Sequence, residues 1–320
     1  MCPADLFSVI MDALLYWIAR ATVSLLQALP IRWVARLGRA GGGLLYWLDA
    51  RHRRVALRNL ELCFGRVKSA AERQAIVKEN FRRIGENYVS AVKTVGMADA
   101  QLTGVLDVVG VEKLLPRAGE LDSISRIVAI GHFGNFELYV RLAKWLPRLK
   151  GATTYRGLEP PPLNRLLQSL RQRSGCLFFE RRTDAMALRA ALNGSGLLLG
   201  LLADQHAGDG GLWIPFLGRE CSTSAAPAVL ALRYDCILST AICYRVGLAR
   251  WTIEVGDQIP TRINGHARSV EDITRDVNHA FEAAVRRDPA NWFWVHQRWK
   301  PRKRNSRQGG KRGAGVLDSP

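Results

Sequence analysis

Arg126-Ile127-Val128-Ala129-Ile130-Gly131-His132-Phe133-Gly134-Asn135-Phe136-Glu137 is the stretch that decides how this chain folds. Its first five residues are largely apolar and rich in β-branched side chains, and a glycine stops them, which predicts a short buried strand. Gly131 and Gly134 permit a turn. Asn135 is placed to cap a helix running to about residue 146, with Glu137 in its first turn. A His and a carboxylate therefore sit where a strand hands over to a helix, and open α/β sheets keep their sites at such strand ends.

Outward from this segment the same alternation recurs. Short apolar runs at 152–155, 177–179, 197–202, 237–244 and 251–255 read as strands, separated by helical patterns at 162–174, 183–192 and 223–234. Strands alternating with helices predict an α/β fold with αβα layers. Residues 31–95 read as mainly helical. Ser69 with Glu72, and Ser269 with Asp272, carry the capping-box spacing at two helix starts, the second helix running to about residue 286. No internal repeat is present. The body ends near Pro301, because the Arg/Lys/Gly-rich stretch 302–315 has the composition of a disordered tail.

The 320 residues are 48% hydrophobic, enough for a substantial core, and disorder throughout is excluded. The net charge of +18 favours anionic partners: phospholipid headgroups, nucleic acid or phosphorylated substrates. The last 23 residues hold eight Lys and Arg against one acid, so the body is basic in its own right. Six scattered cysteines form neither a C-x-x-C pair nor a Cys/His cluster at zinc-ligand spacing. They read as buried thiols in a reducing compartment, and no metal is expected.

The N-terminal segment 6–30 is apolar apart from Asp12, Arg20 and a few neutral polar residues. It has no basic region before it and no small-residue cleavage site after it, which argues against a cleaved signal peptide. Its apolar residues and its two central charges contribute opposing insertion energies of about 3–7 and about 5–7 kcal/mol, so spanning is marginal. On a helical wheel the polar residues share one broad arc, while Phe7, Ile10, Leu14, Trp17, Ile18, Leu25 and Leu29 fill the other. Residues 1–30 are thus expected to be a membrane-associating helix, interfacial or spanning. The arginines from Arg32 to Arg58, interleaved with Trp33, Tyr46 and Trp47, suit an anionic membrane surface.

The chemistry centres on His132. On one continuous helix a five-residue step separates side chains by about 140°, so His132 and Glu137 can meet only across a turn. The carboxylate could then hold one imidazole nitrogen, leaving the other to take a proton from an attacking hydroxyl. From spacing alone, a capping Glu beside a structural His fits equally.

Gly131-His132-Phe133-Gly134-Asn135-Phe136-Glu137 resembles the His-x4-Glu signature of the bacterial lipid A biosynthesis acyltransferases, the lauroyl and myristoyl transferase family. Arg53-Arg54-Val55-Ala56-Leu57-Arg58-Asn59-Leu60 is similar to that family's N-terminal Asn-Leu segment, Tyr155-Arg156 to its Tyr-Arg motif and Asp204-Gln205 to its Asp-Gln motif. Pro215-Phe216-Leu217-Gly218 and the segment from Trp294 to Lys300 extend the likeness, which covers about residues 30–301.

The resemblance implies an acyltransferase domain over 31–301, between the N-terminal helix and a basic tail, 302–320. It would move a fatty acyl group from an acyl-carrier-protein or coenzyme A thioester to a lipid hydroxyl, without a cofactor, at the cytoplasmic face of the inner membrane. His132 would be general base and Glu137 its orienting partner, with Arg156, Asn135, Asp204 and Gln205 binding substrate or shaping the site. Arg156 would face an acceptor phosphate or the developing oxyanion. The residue after Arg156 is Gly157, where the family often has proline.

Other classes fit less of the sequence. Asn193-Gly194-Ser195-Gly196 is no serine-hydrolase elbow, since it leads into a strand rather than out of one. His132, Glu137, Asp204, His206 and Asp209 lack the spacing of a metal motif. A lysophospholipid acyltransferase would use the same chemistry. A non-enzymatic protein binding anionic membranes or nucleic acid would explain the charge but not the turn from His132 to Glu137, and nucleic acid is not expected as a partner.

Overall fold

A computed structural model of the chain describes residues 3–115, 124–194 and 196–302, with side chains from residue 10 onward. Ser195 and the tail beyond Arg302 lie outside the described residues.

Seven strands form one sheet: β1 (Leu106–Val109), β2 (Arg126–Ile130), β3 (Lys150–Tyr155), β4 (Leu177–Glu180), β5 (Leu197–Leu202), and, beyond a separate hairpin of β6 (Leu212–Phe216) and β7 (Arg219–Thr223), β8 (Ile237–Gly247) and β9 (Arg250–Ile259). Their spatial order is β1-β9-β8-β2-β5-β3-β4. Only β8 and β9 pair antiparallel; every other neighbouring pair in this sheet is parallel. Both faces are covered, which β2 and β5 show directly. Ile127, Ala129, Leu199 and Leu201 belong to one core cluster, and Val128, Ile130 and Leu198 to another. Alternating residues of one strand therefore feed opposite cores, as parallel sheets in α/β folds require.

The helices are α1 (Pro3–Ala28), α2 (Ile31–Leu48), α3 (Ala50–Phe64), α4 (Ala70–Thr94), the short α5 (Asp99–Leu102), α6 (Pro161–Arg171), α7 (Ala185–Asn193), α8 (Ala226–Arg233) and α9 (Val270–Arg287). α4 opens with the expected capping box, in which Glu72 N–H donates to Ser69 Oγ and Ser69 N–H to Glu72 Oε2. Ser269 likewise accepts from Asp272 N–H at the start of α9. α2 and α4 cross closely because Gly38 and Gly42 face Gly85 and the Phe81 carbonyl, where a Cβ would run into backbone.

The differences from expectation are local. β1 is a four-residue edge strand containing Asp107, and β6 contains Pro215, so neither has the composition of a buried strand. Thr223 ends β7, which moves the start of the next helix to Ala226. The segment after Asn135 is a 3₁₀ helix, Phe136–Trp145, and the Asn135 side chain does not cap it.

α1 packs on α4 and α6. Ile10, Leu14, Trp17, Ile18 and Leu25 of α1 remain exposed, as do Trp33, Leu37, Leu44, Leu45, Trp47 and Leu48 of α2. Arg20 lies over the Trp17 ring at 5.9 Å and Arg36 over Trp33 at 5.1 Å. Among the described residues, no helix is long and apolar enough to cross a membrane.

Candidate active site

The parallel strands β2, β5, β3 and β4 bring their carboxyl ends to one edge, and a cavity of about 900 Å³ opens there. It lies within the ~300–1,000 Å³ typical of small-molecule sites. His132 follows β2, Tyr155-Arg156 lies at the end of β3, Arg181 follows β4, and Gln205 and His206 follow β5; all line the cavity. α4, the 3₁₀ helix and α6 contribute further walls, which include Val92, Leu142 and Leu167.

The turn after β2 is fixed by its glycine. Gly134 has φ +52°, and a Cβ there would stand 2.5 Å from the Cys243 carbonyl oxygen. Gly134 N–H donates to Asn291 O, and Phe133 pairs with Trp292 in an isolated antiparallel bridge. The segment Ala290–His296 is itself held by two buried amides. Asn80 Nδ2 donates to the carbonyls of Ala290 and Trp292, and Asn59 Nδ2 to those of Trp294 and His296. The Asn-Leu segment noted in the sequence thus anchors the strip of chain behind the turn.

The carboxylate that holds His132 is Asp204. Asp204 Oδ1 lies 2.8 Å from His132 Nδ1, and Oδ2 accepts from both His132 N–H and Trp292 Nε1, each at 2.8 Å. β5 makes this possible. Ile130 and Leu202 are in register, Ala203 N–H donates to Ile130 O, and Asp204 comes next, beside His132. Asp204 is 1% exposed. Burial alone would raise its carboxyl, but the adjacent imidazole, the hydrogen bonds from His132 and the Trp292 indole outweigh it and hold the group below the usual carboxylate range. An ionised Asp204 can only accept, so Nδ1 carries the proton between them and Nε2 is the ring nitrogen not committed to this pair. Phe136 and Phe293 flank the imidazole at centroid distances of 5.0 and 5.8 Å.

The structure does not bring Glu137 onto His132. Glu137 instead receives a two-pronged ion pair from Arg171, with Arg171 Nη2 2.5 Å from Oε1 and Nε 3.2 Å from Oε2. The Arg171 guanidinium also lies over the rings of Tyr155 and Phe178, at 5.8 and 5.5 Å. The turn at Gly134 and the 3₁₀ helix together send the Glu137 side chain toward α6, so the local His-to-Glu spacing does not describe the pairing.

The remaining expected residues sit as follows. Asn135 is buried; its Nδ2 donates to Thr94 Oγ1, and its Oδ1 has no partner among the described residues. Gln205 lines the cavity, and its backbone carbonyl accepts from the buried Arg298. Arg156 is exposed at the cavity mouth. His206 Nδ1 accepts from Gly208 N–H and His296 Nε2 from His206 N–H, while His206 Nε2 is buried with no partner among the described residues. Burial, with Arg298 and Lys300 nearby, pushes His296 down to about 4, while Asp204 opposes the shift. Burial pushes the Cys176 thiol, also in the cavity wall, up to about 12, which makes it a poor nucleophile.

Trp292 and Arg171 were not anticipated. Trp292 stands two residues before the C-terminal segment singled out in the sequence, and nothing in local spacing ties it to Asp204. Arg171 reads as an ordinary basic residue at a helix end until the fold sets it opposite Glu137.

The family model for bacterial lipid A biosynthesis acyltransferase matches residues 5–301. The chain is 26% identical over 298 residues to the lipid A biosynthesis palmitoleoyltransferase of Escherichia coli (strain K12), covering 90% of this chain and 92% of that protein. It is 24% identical over 290 residues to the lipid A biosynthesis lauroyltransferase of the same organism, with 90% and 92% covered. To the lipid A biosynthesis acyltransferase of Haemophilus influenzae (strain ATCC 51907 / DSM 11121 / KW20 / Rd) it is 23% identical over 294 residues, with 90% and 91% covered.

Proposed function

Since this chain belongs to the bacterial lipid A biosynthesis acyltransferase family and is an acyltransferase, we propose that it moves a fatty acyl group from an acyl-carrier-protein or coenzyme A thioester to a hydroxyl of a lipid A precursor, with His132 as general base. One observation carries the mechanism: His132 is tied through Nδ1 to a buried carboxylate and lines a cavity with apolar walls.

In the proposed step the acceptor hydroxyl attacks the thioester carbonyl carbon as His132 Nε2 takes the hydroxyl proton. The imidazolium is stabilised by Asp204, whose carboxylate remains ionised. The tetrahedral intermediate collapses with cleavage of the C–S bond, and the thiolate takes the proton back from Nε2. The products are an ester and a free thiol, and the imidazole is neutral again. Asp204 is the positioning residue for His132. Glu137 holds Arg171, and through it α6, against the strand ends.

The exposed apolar residues of α1 and α2, with arginines stacked on Trp17 and Trp33, support seating of this face in the membrane interface. A lipid acceptor would then meet a cytoplasmic thioester donor at the inner membrane. The test is acyl transfer by the purified protein in mixed micelles, with labelled carrier-protein and coenzyme A donors against lipid A precursors and lysophospholipids. Transfer to the glycolipids is expected. Transfer confined to lysophospholipids would move the assignment to that acceptor class, and binding of both substrates with no transfer would sink the catalytic reading.

Acyl length should respond to Gly200. A Cβ on this β5 residue would stand 3.4 Å from Ile130 Cδ1 and no closer than 3.8 Å to backbone, in a position that lines the cavity. Gly200→Val is expected to fold and to shift donor preference toward shorter chains, measured as kcat/KM across donors of increasing length. An unchanged preference would remove the acyl chain from this part of the cavity.

A further inference from the structure

The cavity has apolar walls within and cationic groups at its rim, and the cations differ in what they hold. Arg171 is neutralised by Glu137. Among the described residues, Arg156 has no side-chain partner and the Arg181 side chain makes one bond, from Nε to Thr154 Oγ1 at 3.5 Å, with neither terminal nitrogen bonded.

These two arginines are neighbours by construction of the sheet. Tyr155 and Glu180 are in parallel register, and Arg181 N–H donates to Tyr155 O at 3.0 Å, so Arg156 and Arg181 leave adjacent strand ends about 4.8 Å apart. Both line the cavity. Glu180, the residue before Arg181, is folded onto backbone: it accepts from the N–H groups of Arg182, Thr183 and Gly157. Two exposed guanidiniums carried on adjacent strand ends into one cavity offer paired donors to an anion held between them.

We propose that Arg181 is a second guanidinium beside Arg156, for which the family resemblance already implies an acceptor phosphate or the developing oxyanion, and that the two together clamp a phosphate group carried by a substrate, either in the phosphopantetheine arm of the donor or on the acceptor headgroup. β5 separates the β3 end from the β2 end, which puts the clamp's nearer strand about 10 Å from the strand that carries His132. That distance suits a charge remote from the reacting carbonyl better than the oxyanion itself. The clamp rests on the acyl-transfer reading for the identity of its ligands, but its binding can be measured without turnover.

The experiment is isothermal titration of wild type, Arg181→Gln and Arg181→Lys with two matched pairs of probes. One pair is phosphopantetheine and pantetheine; the other is a phosphorylated acyl-glucosamine disaccharide and its dephosphorylated form, in detergent. Arg181→Gln is expected to weaken one phosphorylated probe about tenfold. The unphosphorylated twin should be unaffected, and Arg181→Lys should recover part of the loss. The probe that responds identifies which substrate brings the phosphate. The clamp is overturned if wild type binds neither phosphorylated probe more tightly than its twin, or if Arg181→Gln, folded by thermal melt, changes neither. Phosphate-dependent binding that needs Arg181, in a protein that transfers no acyl group, would keep the clamp and remove the catalytic reading.

Discussion

An Asp204→Asn enzyme is expected to transfer acyl groups on the order of 10³- to 10⁴-fold more slowly than wild type, with little change in KM. Asp204 accepts three hydrogen bonds, two of them at Oδ2. An asparagine would keep its carbonyl oxygen where His132 N–H and the Trp292 indole both donate. Its amide NH₂ would then face His132 Nδ1, which could only accept, so the ring proton would move to Nε2 and the base would be lost. Because His132 and Asp204 act as a unit, the Asp204→Asn/His132→Ala double variant should be barely slower than either single variant. Single-turnover rates for the four proteins check this. Additive losses would mean that Asp204 works independently of the imidazole.

The second large effect is on stability. Glu86 of α4 is fully buried and accepts from Arg245 Nε at 2.6 Å, Arg39 Nη1 at 3.1 Å and Ala249 N–H at 2.9 Å. It joins α2, α4 and the β8–β9 turn at one carboxylate. Removing one partner of a buried ion pair strands the others, so Glu86→Ala should lower unfolding free energy by about 3–5 kcal/mol. Arg39 keeps Glu79 and should tolerate the change better than Arg245, which the variant leaves without its ion-pair partner. The residues that follow on the same helix, Asn87, Tyr88, Ala91 and Val92, line the cavity, so the instability should reach substrate binding. Urea unfolding at fixed pH measures the loss. A change below about 1 kcal/mol would show the cluster to be replaceable by solvent.

The sheet was legible because its central strands are apolar runs stopped by turn residues. Leu197–Leu202 has its expected bounds, as does Arg126–Ile130. Period and composition could not reveal β1 or the β6–β7 hairpin, where edge position and Pro215 remove the signal of a buried strand. The site was legible in its parts. His132, Glu137, Asn135, Arg156 and Gln205 all line the one cavity, and Asp204 abuts it through His132. What the sequence could not give was which carboxylate meets the imidazole. Glu137 is five residues from His132 and Asp204 seventy-two, yet the β2–β5 register brings the distant one into contact and the turn at Gly134 carries the near one away. Strand order is a non-local property, and the pairings it creates leave no trace in local spacing. Trp292 belongs to the same class: its indole reaches Asp204 only because Asn59 and Asn80 hold the C-terminal segment behind the site.

The most direct test compares acyl transfer by wild type and His132→Ala, using a labelled acyl thioester, a lipid A precursor in mixed micelles, and circular dichroism and thermal melts to establish that both proteins fold. The expected result is transfer by wild type and a loss of at least about 10³-fold in His132→Ala, with substrate binding retained. A folded His132→Ala protein that transfers acyl groups at an undiminished rate would contradict the assignment of His132 as the base.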